Sequence, residues 1–377
     1  MCKEAIDAYI NAAQEHFGNP SSLHSIGVDA ERILEDARRA IMRSLYAKDG
    51  QIIFTGSGTE ANNLAIRGRA TAKERFKRGA RIIISAGEHP SVTETAKALE
   101  AEGCSVVKIP TRGGALDLDI LESSLTRDTV LVSIMLVNNE TGAVYDIPSA
   151  ARIVRRVAPS AYLHVDATQG YLKIPFSPAG LGADMVTISA HKVHGPKGVG
   201  ALYVSERIKT ERGIAPVIYG GGQEFGIRSG TENLPAIAAF GAAARVGFTA
   251  IEQNSRKIEA LRERLVRTIK STAALSEIKI AEPQMHAPHI VSMTMPGIKS
   301  ETMLHYLSSE GIYVSSGSAC SSNSGHKSEA LLAYGRSEAE ADYTIRASLS
   351  HTNTEEDMDE LVLALTRGFD KLARVKQ

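Results

Sequence analysis

Only three cysteines occur in 377 residues, Cys2, Cys104 and Cys320. They are too few and too scattered for a disulfide framework or a metal knuckle, and leave room only for a reduced, reactive thiol. Excess charge is missing too: 43 basic and 43 acidic side chains cancel. No global field therefore recruits nucleic acid or an anionic membrane, and no basic run is dense enough to do so locally. Small, compact partners are expected. No apolar stretch approaches the length of a membrane span, and the opening Met1-Cys-Lys-Glu-Ala-Ile-Asp lacks the charged-then-apolar pattern of a signal peptide. The expectation is a cytoplasmic protein without a membrane anchor. What the chain does have is 43% hydrophobic residues with balanced charge, the composition of a folded globular protein, and enough length for two domains.

Between residues 52 and 204, short β-branched runs alternate with helical patterns. The runs lie at 52–55, 81–85, 105–109, 130–135, 162–165, 185–188 and 200–204. Uniformly apolar strands separated by helices predict an α/β domain with a mainly parallel seven-stranded sheet covered by helices on both faces. Gly220-Gly-Gly-Gln-Glu-Phe-Gly reads as a loop, and the Ala-rich stretch from 234 to about 269 as one or two helices leading away from the sheet. A smaller α+β domain follows, with strands at 289–295 and 343–347, a helix near 301–309, and a Ser/Gly loop at 315–325. Thr354 is placed to cap the last helix with Asp357 three residues on. Met358, Leu361, Val362, Leu365, Phe369 and Leu372 form its apolar stripe. No internal repeat is present.

Chemistry gathers at the strand ends. Thr55-Gly-Ser-Gly-Thr-Glu-Ala-Asn-Asn leaves one strand and enters a helix; the N–H groups of a helix start, with the hydroxyls of Ser57 and Thr59, can cradle a phosphate, although glycine in such a turn also serves geometry alone. Lys192 follows the strand at 185–188 and precedes the rigid turn Gly195-Pro-Lys-Gly. A lone lysine is ordinarily a solvated charge, but this position is where ligands of open α/β sheets gather. Ser189 and His191 flank it. His191 and His194 have a spacing that zinc uses, yet no Cys or further His nearby completes a metal site. Asp166 ends its own strand, with Gln169 three residues later, and capping is the plain alternative for it. Asn139 and His89 also directly follow apolar strands, so five neighbouring strand ends each deliver a polar residue, as a binding site does. One amine and one carboxylate so placed are what a protein needs to hold pyridoxal phosphate, the amine reacting with the aldehyde and the carboxylate keeping the ring nitrogen protonated.

Cys320 lies among small polar residues, Ser315-Ser-Gly-Ser-Ala-Cys-Ser-Ser-Asn-Ser-Gly-His, which cannot pack a core. An exposed cysteine on such a loop suits a nucleophilic thiolate as well as a chance linker residue. Arg346, inside an apolar strand, needs a carboxylate partner, either a structural Asp or Glu or that of a substrate.

Assembled, these residues resemble the fold-type I pyridoxal phosphate enzymes of the class V aminotransferase superfamily, and specifically group I cysteine desulfurases of the NifS/IscS type. The ordered motifs are Asn19-Pro-Ser-Ser-Leu-His, Gly-Thr-Glu-Ala-Asn-Asn, Glu-His-Pro, Asn-Asn-Glu-Thr-Gly, His-Val-Asp-Ala-Thr-Gln, Ser-Ala-His-Lys-Val-His-Gly-Pro-Lys-Gly, Arg-Ser-Gly-Thr-Glu-Asn and Ser-Ser-Gly-Ser-Ala-Cys. The resemblance implies an amino-terminal helix over 1–18 packing with the small domain, a cofactor-binding domain over 19–240 and a small domain over 241–377. It implies that Lys192 carries the cofactor, Asp166 pairs with the ring nitrogen and His89 stacks on the ring, with Asn139 and Gln169 at the ring hydroxyl. Gly58, Thr59, Ser189 and His191 then hold the phosphate, and Thr231 reaches the phosphate of the neighbouring subunit in a homodimer. Arg346 clamps the substrate carboxylate, with Asn19 close by. Lys192 moves the α-proton of L-cysteine, and Cys320 takes the sulfur as a persulfide for an acceptor or scaffold protein in iron-sulfur cluster or thiolated-tRNA synthesis. No resident metal is implied, although Cys320 is a candidate transient cluster ligand.

Family members carry a short strand and an Asp-Asn-Ala-Thr-Thr-like turn ahead of the helix that this sequence enters at 3–16. The expectation drawn from this difference is slower turnover, or another segment in its place. The alternatives are a selenocysteine lyase or another class V enzyme, against which Cys320 argues, and a weakened scaffold that binds sulfur-transfer partners.

Overall fold

The computed structural model describes residues 1–72, 79–316 and 327–374. Most of the Ser/Gly loop, including Cys320, lies outside the described residues. The chain divides into a large unit of 1–109, 117–136 and 146–251 and a small unit of 110–116, 137–145 and 252–377.

The strands of the large unit are β1 (Gln51–Thr55), β2 (Arg81–Ser85), β3 (Ser105–Ile109), β4 (Thr129–Met135), β5 (Tyr162–Asp166), β6 (Met185–Ser189) and β7 (Gly200–Val204). Among the described residues they form one sheet in the order β1-β7-β6-β5-β4-β2-β3. Every residue of β4, β5, β6 and β7 is buried. Successive side chains point to opposite faces, so complete burial means that both faces are covered, as the unbroken apolar runs predict. Pairs β2–β3, β2–β4, β4–β5 and β5–β6 are parallel. Only β7 runs against its neighbours β1 and β6. The connection from β6 to β7 holds no crossover helix, so the chain turns back on itself there. Ile53, Leu64, Ile66, Ile82, Ile84, Leu99, Leu131 and Leu202 belong to the core that joins sheet and helices.

The amino-terminal helix Lys3–Gln14 belongs to this large unit, which corrects the expectation that it packs with the small domain. Small residues decide its place: Ala5 clusters with Ala239 and Ala243. The Cys2 N–H donates to the His194 carbonyl at 2.8 Å, tying the helix to the turn beyond Lys192.

The Ala-rich stretch is one continuous helix, Leu234–Ser271. The division between units falls within it at 251/252 and not at 240, because its first turns bury Ala236, Ala239, Phe240, Ala243 and Ala244 in the large unit. By length and composition alone this helix is apolar enough to cross a membrane, although 61% of its most apolar stretch is buried in the fold. Its weakly apolar alanines and the single Arg245 hide that run from a reading based on large side chains.

The small unit contains β8 (Lys279–Ile280), β9 (Ile290–Thr294), β10 (Ser315–Ser316) and β11 (Thr344–Ser348), antiparallel in the order β10-β11-β9-β8. The last helix, Glu355–Arg374, begins as predicted. Asp357 N–H donates to Thr354 Oγ1 at 3.3 Å, and Thr354 N–H donates to Asp357 Oδ2 at 3.1 Å. Met358, Leu361, Val362 and Leu365 enter the small core, with Phe369 and Leu372 at its margin.

Candidate active site

Parallel strands end on the same edge of their sheet, and open α/β sheets bind ligands beyond that edge. In the large unit Glu88 and His89 follow β2, Asp166 ends β5, and Ser189 ends β6. His191 and Lys192 occupy the single turn Ala190–Lys192 that comes next.

The Asp166 carboxylate is buried. Its Oδ1 accepts from the Thr168 N–H at 2.9 Å, the capping-type bond that such an Asp commonly makes. Its Oδ2 accepts from Asn62 Nδ2 at 2.7 Å. Both donors compensate the burial of an anion, and the Asp166 carbonyl is itself pinned by the Leu136 N–H at 2.8 Å. Beneath it, His164 joins Ser133 Oγ at 2.8 Å and Thr187 Oγ1 at 3.0 Å across three strands. Burial pushes this imidazole down to about 4, against the pull of Asp166.

His89 caps the helix Pro90–Ala101, its Nδ1 accepting the Ser91 N–H at 3.1 Å. Burial pushes its imidazole down; the Asp166 carboxylate opposes this, and the Lys192 ammonium adds to it. Lys192 likewise adds to the burial that depresses His191 and Lys173. These mutual effects set His89, Asp166 and Lys192 in one electrostatic neighbourhood. Glu88 is also buried there, accepting from the Met135 N–H at 2.6 Å and from Ser85 Oγ. Burial, reinforced by Asp166, pushes its carboxyl up to about 8.

The helix Gly58–Thr71 starts against this edge. Ser57 caps it by accepting the Glu60 N–H at 3.1 Å, so this hydroxyl serves the helix. A Cβ on Gly58 would come within 3.3 Å of both Ser189 Cβ and Thr168 Oγ1, and one on Gly200 within 2.5 Å of the Ser57 carbonyl carbon. Glycine at both positions lets the helix start settle beside β6 and β7. The first N–H groups of a helix have no backbone partner within it, and here the helix start lies beside the Ser189 and Thr168 hydroxyls, with Ser189 Oγ 2.9 Å from His191 Nδ1. Thr59 is exposed beside them. This donor set, with Asp166 and Lys192, fits pyridoxal phosphate: N–H and O–H donors for the phosphate, a buried carboxylate for the ring nitrogen, and an amine for the aldehyde. Gln169 is half-buried in the turn after β5.

The remaining predicted residues are placed differently. Thr231 is exposed, on a segment fastened by Arg228, whose Nε and Nη2 donate to Glu60 at 2.7 and 3.3 Å. Asn19 is exposed, and its Oδ1 accepts the Ser21 N–H at 2.9 Å, a turn-stabilising bond. Asn139 and Arg346 both lie in the small unit, where Arg346 Nη1 donates to the Asn139 carbonyl at 2.6 Å. The Arg346 charge also reaches Glu140, which burial pushes upward. A carbonyl and a neighbouring carboxylate are thus among its partners within the protein. Among the described residues no group of three or more His, Cys, Asp or Glu is placed to hold a metal.

Asn62, Thr168, Glu88 and Ser91 escaped the sequence reading. Asn62 stands four residues after Gly58, on the helix face one turn in, and Ser91 stands two residues after His89, where a cap makes its bond. Those spacings are the available signals.

The chain matches the aminotransferase class-V family over residues 1–361. It is 37% identical to cysteine desulfurase IscS 1 of Archaeoglobus fulgidus, covering 98% of this chain and 94% of that protein. Identity to cysteine desulfurase IscS of Dictyoglomus turgidum is 36%, over 99% and 93%. A solved NifS-like protein, 34% identical, superimposes with a TM-score of 0.88 over 99% of this chain and 96% of its own. The NifS-like protein of Rickettsia africae gives 33%, 0.86, 98% and 96%. With the same fold and this similarity along its whole length, the chain belongs to the class-V aminotransferase family, among its NifS/IscS-like cysteine desulfurases.

Proposed function

We propose that this protein converts L-cysteine to L-alanine with pyridoxal phosphate and passes the sulfur, held as a persulfide on Cys320, to an acceptor protein. The observation that carries this reading is the convergence of Asp166, His89 and Lys192 on the sheet edge beside the helix start at Gly58, in a chain 37% identical to a cysteine desulfurase. When bound, the cofactor supplies an electron sink for the α-carbon of the amino acid. The residues of the chain do the rest. Asp166, held by Asn62 and Thr168, keeps a negative charge for the ring nitrogen. Ser189, Thr168, His191 and the helix start anchor the phosphate, with Thr59 at its side. The Lys192 amine, once free, takes the α-proton. Arg346 offers a planar fork to the substrate carboxylate, with Asn19 as a further contact, and Asn139 and Gln169 serve the ring hydroxyl.

Cys320 completes the chemistry. Its thiolate attacks the substrate sulfur, the S–S bond forming as the Cβ–S bond breaks. The electron pair stays with the three-carbon fragment, which leaves as alanine after protonation. One cysteine and one protein thiol thus become one alanine and one persulfide, with no external oxidant. A homodimer, in which Thr231 serves the partner's phosphate, and a cytoplasmic setting in iron-sulfur or thiolated-tRNA synthesis complete the proposal.

The purified protein loaded with pyridoxal phosphate, given L-cysteine and a thiol, is expected to release alanine and sulfide in equal amounts. Cys320→Ala is expected to keep the cofactor's colour and lose sulfide release. Absence of alanine from the loaded protein refutes the activity, and undiminished sulfide from the variant refutes the persulfide role.

A further inference from the structure

A polar chain runs through the large unit from Asp166 to His89. Asn62 Nδ2 donates one proton to Asp166 Oδ2 at 2.7 Å and the other to Ser91 Oγ at 2.8 Å. Ser91 Oγ lies 2.8 Å from His89 Nδ1, and the Ser91 N–H points at the same nitrogen from 3.1 Å. The orientation of Asn62 is chemically determined, because the reverse would set its carbonyl oxygen against the Asp166 carboxylate. Asn62 is 1% exposed, and its Oδ1 has no hydrogen-bond partner among the described residues. A buried amide with an unmet acceptor costs stability, so its placement is explained by its two donors.

With a lone pair taken by Asn62, Ser91 Oγ has its own proton left to give, and His89 Nδ1 is the acceptor in reach. The backbone N–H agrees, since a protonated Nδ1 would face it donor to donor. From this geometry we infer that Asn62 and Ser91 are positioning residues that hold the His89 imidazole neutral, with its proton on Nε2. Charging the ring requires a proton on Nδ1, which displaces two donors at once. Asp166 and Lys192 are the charged groups facing His89 from the neighbouring elements, with opposite effects, and the adjacent Glu88 is uncharged below about 8. The depressed ionisation of His89 agrees with the arrangement. For the reaction, the relay presents an N–H donor on the ring atom away from Ser91. That meaning rests on the desulfurase reading, whereas the ionisation state is measured without substrate.

The test is a pH titration by NMR of cofactor-loaded protein with labelled histidine nitrogens, His89 being assigned by its loss in His89→Gln. The unaltered protein is expected to show a bare Nδ1 and a protonated Nε2 at neutral pH. Asn62→Ala lets the Ser91 hydroxyl turn round and accept, and Ser91→Ala deletes it. Each is expected to raise the ionisation midpoint of His89 by about one pH unit, a tenfold change in proton affinity. The double variant is expected to match Ser91→Ala instead of adding the two effects, since both act through one hydroxyl. A purely structural role for Asn62 predicts additive effects on melting temperature and no shift in titration. A protonated Nδ1 in the neutral protein, or an unmoved midpoint in Ser91→Ala, overturns the inference even if Asn62→Ala does not fold. Loss of alanine formation with this titration intact would instead count against the activity alone.

Discussion

Replacing Glu88 by Gln removes one buried charge site while keeping the shape of its carboxyl. Gln Oε1 can still accept from the Met135 N–H and the Ser85 hydroxyl, as Glu88 Oε1 does. The amide nitrogen takes the place of Oε2, which has no hydrogen-bond partner among the described residues. Two buried donors without acceptors cost about 1–3 kcal/mol at every pH. The pH dependence separates the two proteins. Burial lifts the Glu88 carboxyl from 4.5 to about 8 in the folded chain. Between those values the folded protein holds a proton that the unfolded chain has released. The stability this provides is complete below 4.5 and is lost as pH rises through about 8. At about 1.4 kcal/mol for each of the three to four pH units involved, the loss reaches at most about 5 kcal/mol. Glu88→Gln lacks this slope. Relative to the unaltered protein, the variant is therefore expected to be less stable near pH 5 and more stable near pH 9. At about 1–2 °C per kcal/mol for a chain of this size, the swing in relative melting temperature is roughly 5–10 °C. Comparing the two proteins cancels the opposite contribution of His164, whose neutral buried ring costs stability as pH falls from 6.5 to about 4. Thermal melts followed by circular dichroism from pH 5 to 9 provide the assay. Parallel curves for the two proteins would refute the argument.

Gly200→Ala forces a methyl group onto the backbone at Ser57. It is expected to destabilise the fold by about 1–3 kcal/mol and to weaken pyridoxal phosphate binding, with an absorbance titration and a melt showing both or neither. Arg228→Ala breaks a pair with Glu60 whose members are about one-quarter exposed, 23% and 24%. The expected cost is about 0.5–1 kcal/mol, with faster amide exchange over 228–232, and unchanged exchange would show that the pair does not hold this segment. Arg346→Lys keeps the charge but loses the fork. A rise of about tenfold or more in KM for L-cysteine is expected, whereas an unchanged KM would leave the Asn139 carbonyl as the guanidinium's purpose.

The large sheet was readable because its strands are buried on both faces, which forces unbroken apolar runs such as Tyr162-Leu-His-Val and Met185-Val-Thr-Ile between turn residues. Asp166, Ser189 and Lys192 were readable for the same reason, as polar groups interrupting those runs where strands stop. Features set by partners distant in sequence were not. The reversal of β7 follows from a connection too short for a helix, which the sequence leaves inside an otherwise regular alternation. The placement of Lys3–Gln14 depends on Ala5 meeting Ala239 and Ala243, residues too small to stand out. Asn62 and Glu88 appear in quoted motifs, yet their roles emerge only when Ser91, Asp166 and Met135 are brought beside them.

The central claim is that Lys192, which shares the electrostatic neighbourhood of His89 with Asp166, is the residue to which pyridoxal phosphate attaches. Borohydride reduction of the cofactor-loaded protein, followed by peptide mapping, tests this directly. The reduced pyridoxyl group is expected on the peptide containing Lys192 and is expected to disappear in Lys192→Ala. Its recovery on Lys173, the neighbouring half-buried amine, or its persistence in the variant would contradict the assignment.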